Sequence, residues 1–349
     1  MSQFNYNFLI VSPLIVAKLL SNYDKGDVVM KTKKVLLALG LASIVAIISA
    51  CGSNSDTSEG TKNNLVIVGE TVEIENREQV ASFSHIHGLS KHPDDSNKLL
   101  LASHYGLIEY NKESNLAHFV GSERFDLMGY SRVPGSNILM TSGHPGEGSK
   151  LPNPLGFLWS NDFGETWEVR ALHGIIDFHA LTATSDQSKL LGYGSDGKTD
   201  VLFKSYDQGF TWEVIKSVGL PLSHDEFLDL GIAPNNSNVA YAATSKGLFY
   251  TNDGGVNWVK KLDGYFTALY VVGEDEVVFY EASENGLFRL KGEETISYNL
   301  YLGRDAVNYI VVENDSTTVT VSTFQNNILE TTNHGEAWET LLAEGNFPQ

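Results

Sequence analysis

The sequence predicts an all-β fold, a β-propeller of six or seven four-stranded blades, and three observations carry that expectation. An octapeptide of the form Ser/Thr-x-Asp/Asn-x-Gly-x-x-Trp recurs four times, at 160–167, 205–212, 251–258 and 331–338. Its Trp residues stand 45, 46 and 80 residues apart, so the last interval is two periods with one copy lost. Repeats of this length are blade-sized. Finally, β-branched runs alternate with turn residues throughout the second part of the chain, and no stretch there has a helical period.

Each octapeptide reads as a tight turn between two strands. Asp162, Asp207, Asp253 and Asn333 supply a side-chain oxygen that accepts bonds from backbone N–H groups further on. Gly164, Gly209, Gly255 and Gly335 take a backbone conformation that other residues reach only at a cost. Trp167, Trp212, Trp258 and Trp338 open the next strand with a large apolar face to bury. Repetition in blade after blade marks these twelve residues as scaffold rather than catalysts.

Before the repeats, the chain reads as a series of processing segments. Residues 1–29 are expected to be an over-extended start. Lys31, Lys33 and Lys34 follow Met30, and an apolar run from Val35 to Ala50 leads to Cys51, the only cysteine. Residues 30–50 thus have the charge and length pattern of a signal peptide, and the apolar run is short for a bilayer span. The string Ile48-Ser49-Ala50-Cys51 looks like a bacterial lipobox, which implies lipidation at Cys51. Residues 51–63 then form the lipidated Cys and a polar, flexible tether, and 64–349 the propeller. The expected location is the extracytoplasmic face of the cell membrane, held by the lipid.

Removing residues 1–50 takes five Lys and two Asp from 24 basic and 43 acidic residues, so the net charge falls from −19 to about −22. Such acidity argues against nucleic acid as a partner.

Six repeats align, with innermost strands predicted at 85–92, 126–133, 177–184, 226–233, 265–272 and 306–313. A further strand at 65–74 either closes the ring or completes a seventh blade. One column of the inner strands reads His87, Met128, His179, Leu228, Thr267, Asn308. Two positions earlier the residues are His85, Asp126, Asp177, Glu226, Tyr265 and Ala306. Residues i and i+2 share a strand face. His104 and His144 fall at the ends of second strands, which approach the same mouth of the channel. His85, His87, His104, Met128, His144 and His179 are therefore candidate metal ligands. Imidazoles suit copper, zinc, iron and nickel, and the thioether puts copper first. Asp126 and Asp177 either orient the imidazoles or bind directly. The loop 143–157 begins beside His144 and is the longest within a blade; it reads either as a cover for the site or as a surface insertion.

The octapeptide resembles the Asp-box, or BNR repeat, of bacterial sialidases, sortilin-type receptors and related propellers. The strings HIHGL, DLMGY, SGHPG, NPLGF and DFHAL are similar to those of bacterial lipoproteins named glycosyl-hydrolase-like or sialidase-like. That resemblance implies sugar hydrolysis. A sialidase-like site needs three arginines on inner strands, and Arg77, Arg124, Arg132, Arg170, Arg289 and Arg304 form no such triad in the alignment. A different glycosidase uses two carboxylates, for which Asp126 and Asp177 are the candidates. The third class, by likeness to sortilin-type domains, is a scaffold that binds a protein across one face.

Overall fold

The computed structural model describes residues 65–313 and 316–348. The expected over-extended start, signal peptide, Cys51 and tether lie outside the described residues.

Six antiparallel sheets make a six-bladed propeller. The inner strands are Ile86–His92, Asp126–Arg132, Asp177–Ala183, Phe227–Ala233, Phe266–Gly273 and Val307–Val312. They begin within one residue of the positions read from the repeat. In each blade the chain then steps outward through three more strands, so successive strands are neighbours. This up-and-down order puts the starts of inner strands, the second-to-third turns and the connections between blades on one face. The octapeptides join third to fourth strands, as between Phe157–Ser160 and Trp167–Ala171, and therefore lie on the opposite face.

The turn chemistry repeats atom by atom. Asp162 Oδ1 accepts from Ser160 Oγ at 2.7 Å and from Thr166 N at 3.0 Å, while Oδ2 accepts from Thr166 Oγ1 at 2.7 Å. Asp207 and Asp253 reproduce the set, with Asn257 Nδ2 replacing the threonine hydroxyl at Asp253. Asn333 keeps the two contacts made through Oδ1. Trp167 and Trp258 are buried, and Trp258 and Trp212 donate back to the carbonyls of Gly255 and Gly209.

Most of the apolar core lies between blades. Leu100, Leu107, Phe125, Leu127, Leu139 and Trp167 pack at the junction of blades 1 and 2, and similar clusters fill four of the other junctions. Burying one such large side chain stabilises by about 1.5–3 kcal/mol, which welds neighbouring blades.

The ring closes between blades 6 and 1 without a shared strand. Phe83 N donates to Gly345 O at 2.8 Å and Phe347 N to Ala81 O at 3.0 Å, and the rings of Phe83 and Phe347 meet at 5.5 Å. The N-terminal strand corrects the sequence reading. Val66–Val68 neither closes the ring nor builds a seventh blade; it pairs antiparallel with Trp167–Ala171 as a fifth strand on the outer edge of blade 2. The cause is Glu165, buried within the first octapeptide turn, that of blade 2. It pairs with Arg77 and accepts from Val72 N at 3.2 Å and Gly121 N at 3.1 Å. That carboxylate pins the segment to blade 2, far from the closure.

Candidate functional site

The inner strands share one irregularity that positions the site. The pairing of first and second strands skips a residue at His87, His179, Leu228, Thr267 and Asn308 in blades 1, 3, 4, 5 and 6. In blade 2 the shift falls just after Met128. The column aligned from sequence is thus a ring of β-bulges. A bulge frees a residue from the ladder and re-aims its side chain. Here it turns His87 and His179 into the wall of the central channel, whose cavity measures about 130 Å³.

His87, His104 and Asp126 converge where blade 1 meets blade 2. His104 Nδ1 lies 2.8 Å from Asp126 Oδ1 and 3.3 Å from His87 Nε2. His87 Nε2 lies 3.4 Å from the same Asp126 oxygen. A point equidistant from these three atoms is about 1.8 Å from each, so an ion with bonds of ~2.1 Å sits about 1 Å above their plane. Burial holds the His87 imidazole down at about 4, with the Asp126 carboxylate opposing the shift. Near neutral pH His87 is therefore uncharged and carries a free lone pair. His85 is exposed and meets the His104 ring at a centroid distance of 5.3 Å.

His144 and His179 gather instead around Asp177 in the next blade. Their Nε2 atoms lie 3.5 and 3.6 Å from Asp177 Oδ2. Burial raises the Asp177 carboxyl and lowers the His179 imidazole. Gly143 makes the close approach of strands beside His144 feasible. Its φ is +116°, and a Cβ there would stand 1.9 Å from Asp126 O, so no other residue fits. The loop 143–157 is tied to the group, because Asn153 Oδ1 contacts His144 Nδ1 at 2.7 Å.

The sequence-derived ligands thus divide into two neighbouring groups. Among the described residues, the trio His87, His104 and Asp126 alone brings three His, Cys, Asp or Glu ligand atoms within 4.8 Å of one another. Met128 is half-buried on its strand, in the bulge column. The sequence reading assigned no role to His224, whose ring lies 5.0 Å from that of His179. It sits in the connection entering blade 4, outside the inner-strand register, so the repeat alignment could not flag it.

Asp229 lines the channel deeper in. It accepts from Leu230 N at 2.8 Å and Leu269 N at 2.9 Å, and burial pushes its carboxyl up to about 7 against those two donors.

The arginines do not assemble a carboxylate grip. Arg170 is engaged by Glu168 and stacks on Trp159, Arg289 pairs with Glu276, and Arg124 lies over Phe119. Arg132 alone of the six lines the channel, and it donates to Ser136 O.

No family model matches the chain, and no curated protein matches it. Solved structures do. The GH74 xyloglucanase from Xanthomonas campestris aligns with a TM-score of 0.51 at 12% identity, over 80% of this chain and 47% of that one. An ancestral GH74 enzyme aligns with a TM-score of 0.49 at 13% identity, over 72% of this chain and 36% of that one. The chain therefore spans less than half the length of these enzymes. At such identity the likeness defines a class by fold alone, the β-propeller, whose members carry unrelated chemistries.

Proposed function

We propose that this protein is an extracytoplasmic, lipid-anchored β-propeller that binds a divalent transition-metal ion at the channel mouth. One observation carries the reading: His87 Nε2, His104 Nδ1 and Asp126 Oδ1 stand 2.8–3.4 Å apart, as donors on one face of a metal ion do. Without an ion, the His104 Nδ1–H donates to Asp126; a bound ion takes the place of that proton. Two imidazoles and one carboxylate leave further coordination positions open toward the channel. His85 is close enough to His104 to supply another donor.

The donor set refines the choice of metal. A nitrogen and oxygen trio favours copper(II) and zinc(II) by affinity order, and copper stays first. The thioether argument for copper weakens, since the trio contains no sulfur. The test is metal analysis of untagged protein after copper or zinc loading. About one tightly held equivalent is expected, and a His87→Ala, His104→Ala variant should lose it. Less than a tenth of an equivalent in the wild type ends the reading.

A second reading, glycoside hydrolysis, is favoured by Asp177. Its carboxyl is raised by burial, as a general acid needs, and Asp126 is a nearby carboxylate. Tyr105, Tyr265, Tyr301 and Phe324 are exposed on the same face and offer apolar ring surfaces to a sugar. Turnover of chromogenic glycosides or xyloglucan fragments, lost in Asp177→Asn, would support it; no turnover across the panel removes it.

A further inference from the structure

The hydrogen bonds of the second histidine group constrain its protons. Asn153 Oδ1 faces His144 Nδ1 at 2.7 Å, so Nδ1 carries the hydrogen that the amide oxygen accepts. His144 Nε2 then faces Asp177 Oδ2, 3.5 Å away. His179 Nε2 faces the same oxygen at 3.6 Å. The other oxygen, Asp177 Oδ1, is buried and has no hydrogen-bond partner. Two imidazole nitrogens facing one carboxylate oxygen leave room for a shared cation between them. A buried carboxylate oxygen with no donor is unfavourable.

The geometry points to a second cation site, separate from the His87, His104 and Asp126 trio, in which Asp177, His144 and His179 hold a divalent ion. This rests on the metal-binding reading for the kind of ion, one that prefers nitrogen and oxygen donors. Asn153 is a positioning residue: it fixes the His144 tautomer so that Nε2 is the ligating atom. The exposed His224, beside His179, is within reach as a fourth donor. The two sites differ in preparation. The first trio already has its three donor atoms within 4.8 Å, whereas the second group must draw its imidazoles together around the ion. The second ion therefore binds more weakly.

Zinc titration of the untagged full-length protein by calorimetry tests this, with circular dichroism checking that each variant is folded. Two equivalents are expected, the second at least tenfold weaker. A His144→Ala, His179→Ala variant should keep the tight equivalent within threefold and lose the weak one. A His87→Ala, His104→Ala variant should do the reverse. Asn153→Ala should weaken the second equivalent alone, and Asn153→Asp should restore it. A single equivalent in the wild type that the His144→Ala, His179→Ala variant keeps overturns the second site while leaving the first reading in place, and a single equivalent that this variant loses overturns the division into two sites. Two equivalents surviving in that variant also overturn it. No binding at all overturns both.

Discussion

Asp126 Oδ1 lies 2.8 Å from His104 Nδ1, joining the first residue of the blade 2 inner strand to a turn of blade 1. The candidate site is therefore built across a blade junction, and each partner arrives from a different repeat. Neither blade alone holds three ligands. A site of this kind depends on the apolar junction of Phe125, Leu127 and Trp167 beneath it.

Asp126 brings the only negative charge to the trio. Asp126→Asn keeps the shape and removes the charge, so metal affinity should fall on the order of 100-fold, the upper end of the loss typical of an outer-shell partner. Thermal denaturation with saturating zinc gives the readout. Metal present at 100 times its Kd stabilises the wild type by about 2.7 kcal/mol, and the variant at the same concentration should show less than half the shift in Tm. Equal shifts would count against Asp126 as a ligand.

Much of this was legible in the sequence because the repeat acts as a ruler. The four Trp residues set the period, the period located the inner strands, and the inner strands exposed the column holding His87 and His179. That column is the bulge position of the blades, which alignment registers without knowing its cause. Distances between columns were not legible. His104 and His144 share a place in their blades, yet one joins Asp126 and the other Asp177, because each second-to-third turn leans toward the blade that follows. The strand at 66–68 was misplaced because its anchor, Glu165, reads as just another turn residue in the octapeptide.

Asp229 should make stability depend on pH between about 4 and 7. Burial raises its folded value to about 7, above the unfolded ~3.9, so the folded state holds the proton more tightly. Its contribution is full below pH ~4 and is lost as pH rises through about 7. Asp229→Asn removes that titration, at a fixed cost from placing an amide N–H against one of the two backbone donors. Urea unfolding at pH 4.5, 5.5, 6.5 and 7.5 should therefore show the wild type's advantage over the variant shrinking as pH rises. A constant or widening gap would refute the assignment.

Asp253 behaves in the opposite sense. Hydrogen bonds from Asn257 and Thr251 hold its carboxyl down to about 2, below the unfolded value. Its stabilisation is present above pH ~4 and lost as pH falls through about 2. The side chain is exposed, so Asp253→Ala should cost about 1 kcal/mol or less at pH 7, in line with loss of a helix cap. Below pH 3 the two proteins should converge in denaturant midpoint. Metal content should not change, because this turn lies on the face opposite the histidines.

Glu165 offers a larger effect with a local signature. Its carboxylate is buried against Arg77 and two backbone N–H groups, and removing it leaves the Arg77 guanidinium with Glu109 at 3.7 Å as its remaining ion-pair partner. Breaking a buried pair from one side costs about 3–5 kcal/mol; with Glu109 retained, Glu165→Ala should cost about 2–3 kcal/mol. The loss falls first on the strand at 66–68, which holds blade 2 through a short edge ladder. Limited proteolysis should then cut between residues 65 and 80 while the rest of the ring resists. Zinc binding should stay within threefold of wild type, since the Glu165 carboxylate bonds Arg77, Val72 N and Gly121 N and not His87, His104 or Asp126. Cleavage spread across several blades would show instead that Glu165 supports the whole ring, and that the N-terminal strand is not the element it secures.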